Sequence, residues 1–271
     1  MSADPFSLEG RVAVVTGGTG AIGSALAEGL GRAGARVAIV ARGREGIDRT
    51  IRRLGESGLE AIGVVADVLD AASLEAARDE IQERLGAVDV LVNCAGGNVA
   101  AATLPADASP FDVPIEAYRD VFDLNLIGTL LPIEVFGAAM PASSGGSIVN
   151  VSSMAAGRAL TRVGGYGAAK AAVESITRWL AVELARRGTG IRVNAIAPGF
   201  VLGDQNRSLL IDEDGQPTAR GAAIVERTPA GRLGEPSDLV STVVWLVSDG
   251  ARFVTGVVVP VDGGFSAFTG I

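Results

Sequence analysis

Val12-Ala-Val-Val-Thr16-Gly-Gly-Thr-Gly-Ala-Ile-Gly23 is the stretch whose reading decides the fold. A run of β-branched and small apolar residues enters a glycine-rich turn, and the residues that follow resume apolar positions at helical spacing. Gly18, Gly20 and Gly23 match G-x-G-x-x-G in the setting that gives the pattern meaning, after a strand and at the opening of a helix. Glycines there let the backbone approach a pyrophosphate, whose charge then faces the unpaired N–H groups of the helix start.

Outward from that stretch the pattern alternates. Strand-length apolar runs at 12–16, 36–41, 61–66, 88–94, 147–152, 192–197 and 256–260 are separated by helical patterns at 21–33, 44–57, 71–85, 114–140, 164–187 and 236–248. Strands alternating with helices predict βαβ units, hence an α/β, doubly wound Rossmann-type parallel sheet of about seven strands with helices on both faces. No repeat or linker interrupts the pattern, so residues 1–271 read as a single domain. Residues 200–227 are the least regular, and a long polar insertion of this kind predicts a substrate lid or binding loop.

Composition bounds the chemistry. The chain of 271 residues has 48% apolar residues, a single cysteine (Cys94), no histidine and a formal net charge of −8. The absence of histidine excludes a Ser-His-Asp triad and histidine-bound zinc, and one cysteine excludes cysteine-rich zinc sites, so no metal site is expected. The acidic balance argues against nucleic acid as a partner. The sequence shows neither a long apolar span nor a signal peptide, so no membrane partner is expected and the cytoplasm is the expected location. Acid–base work must then fall to Tyr, Lys, Asp or Glu.

One residue stands out against this background. Lys170 is the only lysine, the other 22 basic residues being arginines, and it follows Tyr166 by four positions. On a helix the two side chains share a face. An ammonium is a compact charge with a tunable pKa, which a guanidinium is not. The pair has the form of a tyrosine acid whose pKa a neighbouring cation lowers, although the same spacing also suits an ordinary exposed pair. The second strand ends at Ala41-Arg42, where an acidic residue would hold the ribose 2′-hydroxyl of NAD. Arg42 instead suits the 2′-phosphate of NADP.

The whole chain resembles the short-chain dehydrogenase/reductase family. The matching residues are Thr16–Gly23, Asp67-Val68, Asn93-Cys-Ala-Gly96, Asn125 within Asp-Leu-Asn-Leu-Ile-Gly, Ser153, Tyr166-x-x-x-Lys170, Pro198-Gly199 and Val261-Asp-Gly-Gly264. The resemblance implies an NAD(P)-dependent oxidoreductase interconverting a secondary alcohol and a ketone. It implies a catalytic set of Asn125, Ser153, Tyr166 and Lys170, with Asn125 interrupting its own helix and holding a water that relays protons to Lys170. Its cofactor contacts would come from Gly17, Thr19, Gly20, Ala21, Ile22, Gly23, Arg42, Asp67, Val68, Asn93, Ala95, Gly96, Tyr166, Lys170, Pro198, Gly199 and Val201. Family members are commonly homotetramers or homodimers.

Two departures stand against the pattern. Glycines at 17, 20 and 23 follow the spacing of the family's longer, sugar-nucleotide branch, and Gly203 stands where short members commonly carry a cofactor-binding threonine. Ala95–Asn98, Gly203–Arg207, Gly215 to Gly221, Thr228–Arg232 and the tail from Gly264 are similar to bacterial D-mannonate oxidoreductases of the family. That closer resemblance implies a small sugar-acid substrate gripped by Asn98, Ser153, Gln205, Asn206 and Arg207. A 3-oxoacyl-carrier-protein reductase or another polyol dehydrogenase is the competing reading, and a non-enzymatic nucleotide sensor a third.

Overall fold

The computed structural model describes residues 4–105, 107–141, 145–203 and 206–270. Its strands are β1 (Val12–Thr16), β2 (Arg36–Ala41), β3 (Ala61–Val65), β4 (Val90–Asn93), β5 (Gly146–Val151), β6 (Ile191–Pro198) and β7 (Val258–Val261). They form one parallel sheet in the order β3-β2-β1-β4-β5-β6-β7. β1, β4 and β5 are buried along their whole length because helices cover both faces, which is why they read as mainly apolar runs. The order reverses between β1 and β4, so the loops leaving their carboxyl ends run to opposite sides and leave a crevice.

The helices are α1 (Ala21–Arg32), α2 (Arg44–Glu56), α3 (Ala71–Leu85), α4 (Ile115–Phe122), α5 (Gly128–Pro132), α6 (Gly164–Arg186), α7 (Arg207–Leu210), α8 (Ala219–Arg227) and α9 (Val240–Val247). One core packs Leu26 and Leu30 of α1, Ile47 and Leu54 of α2, and Val243 and Leu246 of α9 on one face of the sheet. The other packs Leu74 and Ile81 of α3 with Phe136, Met140 and Ala181. Asp70 caps α3, its carboxylate accepting from the N–H groups of Ala72 and Ser73 at 3.0 and 3.2 Å.

Three stretches differ from the sequence reading. The 114–140 pattern predicts one helix, whereas α4 passes into a π-helical turn at Asp123–Ile127, then α5, then a second π-helical turn at Ile133–Gly137. Pro132 supplies no N–H to the regular ladder at that second widening. The last strand starts at Val258 rather than 256, because Gly256 turns at φ +78° and the Val257 N–H is taken by the Asn194 carboxamide. The 200–227 stretch is more regular than its polar sequence suggests. α7 and α8 close over a small cluster of Leu210, Ile224 and Leu233, with Thr218 capping α8.

The register of α2 on β3 leaves no room for a side chain at residue 63, since a β-carbon there would stand 2.0 Å from Ile47 Cγ2. Gly63→Ala is expected to destabilise the protein by about 1–3 kcal/mol, the usual cost of overpacking. Urea unfolding checks this, and an unchanged midpoint would show that α2 can slide.

Candidate active site

The turn after β1 is built by its glycines in three different ways. Gly17 sits at φ +63°, and a β-carbon on it would lie 2.7 Å from the Ala95 backbone nitrogen. Gly23 packs its α-carbon onto the turn, where a β-carbon would meet the Gly17 carbonyl at 2.3 Å. Gly20 is exposed, and a β-carbon there would meet only the Gly17 carbonyl, at 3.5 Å. Its bareness therefore serves the crevice rather than the packing, as close approach of a pyrophosphate to the start of α1 requires. The residues present fit a dinucleotide cofactor. Thr19, Ala21 and Ile22 complete the turn, and Asp67 and Val68 follow β3. Arg42 ends the β2 side with an exposed guanidinium.

Thr16 ties the turn to the neighbouring strand. Its buried hydroxyl accepts the N–H groups of Cys94 and Ala95 at 3.2 and 3.3 Å, so the ends of β1 and β4 are held together. A buried polar ladder continues from β4 into the next layer. Asn93 Nδ2 donates to Asn150 Oδ1, Asn150 Nδ2 donates to Thr177 Oγ1, and Thr177 donates to the Val173 carbonyl of α6. The sequence marks Thr16 only as the start of the glycine motif and does not mark Asn150 or Thr177. Their one signal is a polar residue inside an apolar run, and its partner becomes visible only across strands.

Asn125 lies in the first π-helical turn and is fully buried. Its Nδ2 donates to the carbonyls of Gly97 and Val121 at 2.7 and 2.8 Å, and its Oδ1 accepts the Gly97 N–H at 3.0 Å. The expected interruption of the helix is present. Both amide protons are spent on carbonyls, so the side chain clamps the Gly96-Gly97 turn beside Lys170. A β-carbon on Gly96 would meet Asn125 Oδ1 at 2.8 Å and Lys170 Nζ at 3.1 Å.

Ser153 follows β5, and its hydroxyl accepts the Ala155 N–H at 3.2 Å. The first turn of α6 is pressed into place by two glycines around Tyr166. A β-carbon on Gly165 would strike Tyr118 Cδ1 at 2.9 Å, and one on Gly167 would strike the Ala155 carbonyl at 2.8 Å. This contact brings Tyr166 to the Ser153 segment. The neighbouring Ser152 points elsewhere, donating to Glu174 at 3.0 Å. Lys170 is buried, donates to the Val151 carbonyl at 2.8 Å and holds its Nζ 5.7 Å from the Tyr166 ring centre.

The electrostatics correct the simplest form of the pair. Burial raises the Tyr166 phenol above its ordinary value, and the Ser153 hydroxyl acts in the opposite direction. The reason is that the cleft removes water from the phenolate. Burial also pulls the Lys170 ammonium down from 10.5 to about 8, and pushes the Cys94 thiol up to about 12. Cys94 is therefore a neutral, unreactive group at neutral pH. The Ser153 hydroxyl favours the ionised tyrosine, against the effect of burial.

Pro198-Gly199 closes the rim from β6. Gly199 packs against Asp262, where a β-carbon would stand 2.7 Å from its Cα, and Asp262 accepts the N–H groups of Gly264 and Ser266. Val201 bridges to Gly234. The proposed substrate residues do not form one cluster. Asn98 donates to Thr103 at 2.6 Å. The Asn206 carboxamide is turned back onto its own loop, accepting from Gly203 N–H and donating to the Val201 carbonyl. Arg207 is exposed and lines a cavity of about 400 Å³ with Ala21, Leu202, Gly203 and Glu235, at the mouth of the glycine turn. Gln205 lies outside the described residues.

Among the described residues, no helix is long and apolar enough to cross a membrane and no group of His, Cys, Asp and Glu could hold a metal ion. The family model described as Enoyl-(Acyl carrier protein) reductase matches residues 18–266. The chain is 43% identical to the "Uncharacterized oxidoreductase UxuB" of Bacillus subtilis (strain 168), across 98% of each. It is 38% identical to a "putative D-Mannonate oxidoreductase" from Haemophilus influenza solved with bound NAD, with a TM-score of 0.90 and 98% of each chain covered. A gluconate 5-dehydrogenase from Burkholderia cenocepacia J2315, solved with NADP and tartrate, is 34% identical with a TM-score of 0.86, over 99% of this chain and 100% of that one.

Lys170→Arg keeps a positive charge but not the ammonium, and a fall in kcat of roughly 10²-fold or more is expected, the scale of impaired acid–base catalysis. Near wild-type turnover would show that any cation suffices. In the wild type, the Lys170 proton leaves as pH rises through about 8. The rate of carbonyl reduction should therefore hold through neutrality, fall above that point, and lose this limb in Lys170→Arg. The unfolded chain keeps the lysine proton up to 10.5 while the folded chain gives it up from about 8, so the stability cost of the buried ammonium is full below about 8 and fades towards 10.5. A limb near 10.5 in the pH–rate profile would contradict the burial of this group.

Proposed function

The chain belongs to the short-chain dehydrogenase/reductase family as an NAD(P)-dependent oxidoreductase, and from that premise we propose that it interconverts D-fructuronate and D-mannonate or a closely similar sugar acid. The observation that carries the reaction type is the meeting of Tyr166, Ser153 and Lys170 in one buried cleft beside a glycine turn that fits a dinucleotide.

When bound, the cofactor supplies or accepts the hydride. The residues of the chain do the rest. Ser153 and Tyr166 donate hydrogen bonds to the carbonyl oxygen of the substrate, and Tyr166 gives up its proton as that oxygen becomes an alcohol. The raised phenol pKa keeps Tyr166 protonated for this task at neutral pH. Lys170, anchored on the Val151 carbonyl, offsets the phenolate left behind and would hold the nicotinamide ribose hydroxyls. Asn125 holds the Gly96-Gly97 turn beside the ammonium. In the oxidative direction the same groups act in reverse.

A sugar acid is favoured by the similarity to the Haemophilus protein and by Arg207, an exposed guanidinium in the cavity beside the glycine turn, able to take a carboxylate in two hydrogen bonds. Asn98 is the second substrate contact in this reading. Arg42, without an acid at the end of β2, favours NADP over NAD. The acyl-carrier-protein reductase reading rests on the family model's description, but its acidic partner protein would meet a chain of net charge −8. Residues 200–227 act as the substrate lid of a single domain. Trp179 and Val182, 57% and 56% exposed on α6, offer an apolar face for a homo-oligomer. The lone cysteine suits a reducing, cytoplasmic setting.

Oxidation of NADPH and NADH with D-fructuronate, against neutral keto sugars and acyl thioesters, is expected to give the highest kcat/KM for the uronate, with NADPH preferred. Turnover of acyl thioesters without turnover of any uronate would replace the sugar-acid reading. Arg207→Gln is expected to raise the KM for the uronate about tenfold, the order of a lost charge-assisted contact, and to leave neutral keto sugars unaffected. An equal effect on both substrate types would remove Arg207 from carboxylate recognition.

A further inference from the structure

The segment joining Ser153 to Tyr166 contains Arg162, which at φ +73° is the left-handed residue other than glycine among the described residues. A side chain in that region carries steric strain, and such strain persists only where surrounding contacts over-determine it. Here the contacts come from a single residue across the cleft. The Leu104 N–H donates to the Arg162 carbonyl at 2.9 Å, and the Arg162 Nε–H donates to the Leu104 carbonyl at 2.7 Å. The guanidinium thus takes the place a backbone N–H would have in a strand pair, and the two segments are joined at two points.

Both joined segments belong to the site. Residues 98–104 leave β4 directly after the Gly96-Gly97 turn that Asn125 clamps beside Lys170. Within them Val99 and Ala102 pack in one apolar cluster with Tyr166, Ala169 and Val121. Asn98 is tied to Thr103, and its Oδ1 is buried without a partner among the described residues. Whichever way that carboxamide is turned, one of its two polar atoms is left for a group that the described residues do not supply. On the other side, Arg158 donates to the Ser266 carbonyl, so residues 157–163 are also tied to the chain's last turn.

We propose that Arg162 is a positioning residue for the substrate. Its two-point grip on Leu104 fixes the 98–104 wall against the Ser153–Tyr166 segment, and holds the Asn98 carboxamide where a hydroxyl of a polyhydroxy carbonyl compound meets it. Arg162 touches no reacting atom and acts through Leu104. The inference rests on the reading of this cleft as a carbonyl-reducing site for hydroxylated substrates.

Two variants separate the grip from the strain. Arg162→Ala loses the Nε bond and keeps an L residue at a left-handed position, whereas Arg162→Gly loses the bond and relieves the strain. In both, hydrogen–deuterium exchange of 98–104 should quicken and NADPH affinity should stay within about twofold. In both, KM for the hydroxylated substrate should rise roughly tenfold with kcat changed far less, the scale of one well-placed hydrogen bond. A small ketone without hydroxyls should be reduced as by the wild type, and Tm should be higher for Gly than for Ala. Unchanged exchange at 98–104 in both variants would overturn the proposal. So would a KM that rises only in Ala and tracks its Tm, or an equal loss on the plain ketone. If the wild type reduces no hydroxylated carbonyl compound, the functional reading fails instead, and the exchange result still decides whether Arg162 holds this wall.

Discussion

The ends of β1 and β4 approach so closely that a β-carbon on Gly17 would lie 2.7 Å from the Ala95 nitrogen, and the rest of the site depends on that approach. It is made possible by a left-handed glycine and kept by the Thr16 hydroxyl, which accepts two N–H groups from the neighbouring chain end. Because β1 lies between β2 and β4, the chain must run outward on both sides of this point, and every loop that carries chemistry leaves from the same rim. The glycine turn, the Gly96-Gly97 turn, Ser153 and Pro198-Gly199 meet there as a consequence of topology.

Burial then sets the chemistry of those loops. Removing water raises the tyrosine phenol and lowers the lysine ammonium, so burial disfavours the charged form of both groups. The buried lysine is nevertheless given an acceptor, the Val151 carbonyl, which fixes its ammonium at a chosen point. A tyrosine that stays protonated and a cation that is immobile suit delivery of a proton to a developing alkoxide. The serine hydroxyl supplies the counterweight that allows the phenolate to form.

Rigidity at the site comes from polar groups paired inside the sheet and from glycines that admit close packing. Asn93, Asn150 and Thr177 carry a hydrogen-bond ladder from β4 through β5 into α6, joining the strand before the Gly96-Gly97 turn to the helix that bears Tyr166 and Lys170. Gly165 and Gly167 let the first turn of that helix touch α4 on one side and the Ser153 segment on the other. The 98–104 and 157–163 loops are held differently, by arginines reaching backbone carbonyls, as Arg162 and Arg158 do. Loops held by side chains are easier to retune than loops held by packing, which suits the part of the site that selects the substrate.

Much of this was legible in the chain itself. Alternating apolar runs determined the parallel sheet, because period and length distinguish buried strands from amphipathic helices without reference to the rest of the molecule. The glycine turn, the lone lysine four residues after a tyrosine, and the absence of histidine determined what kind of proton chemistry was open. Tertiary structure decided what pairing across the fold alone can decide. It turned the Asn206 carboxamide onto its own loop, spent both amide protons of Asn125, and set the Ser153 hydroxyl where it favours ionised Tyr166. It also joined Arg162 to Leu104, 58 positions away. The physical reason is the same in each case: a pattern along the chain specifies local conformation, whereas a hydrogen-bond partner or a loss of water depends on which distant residues the sheet brings together.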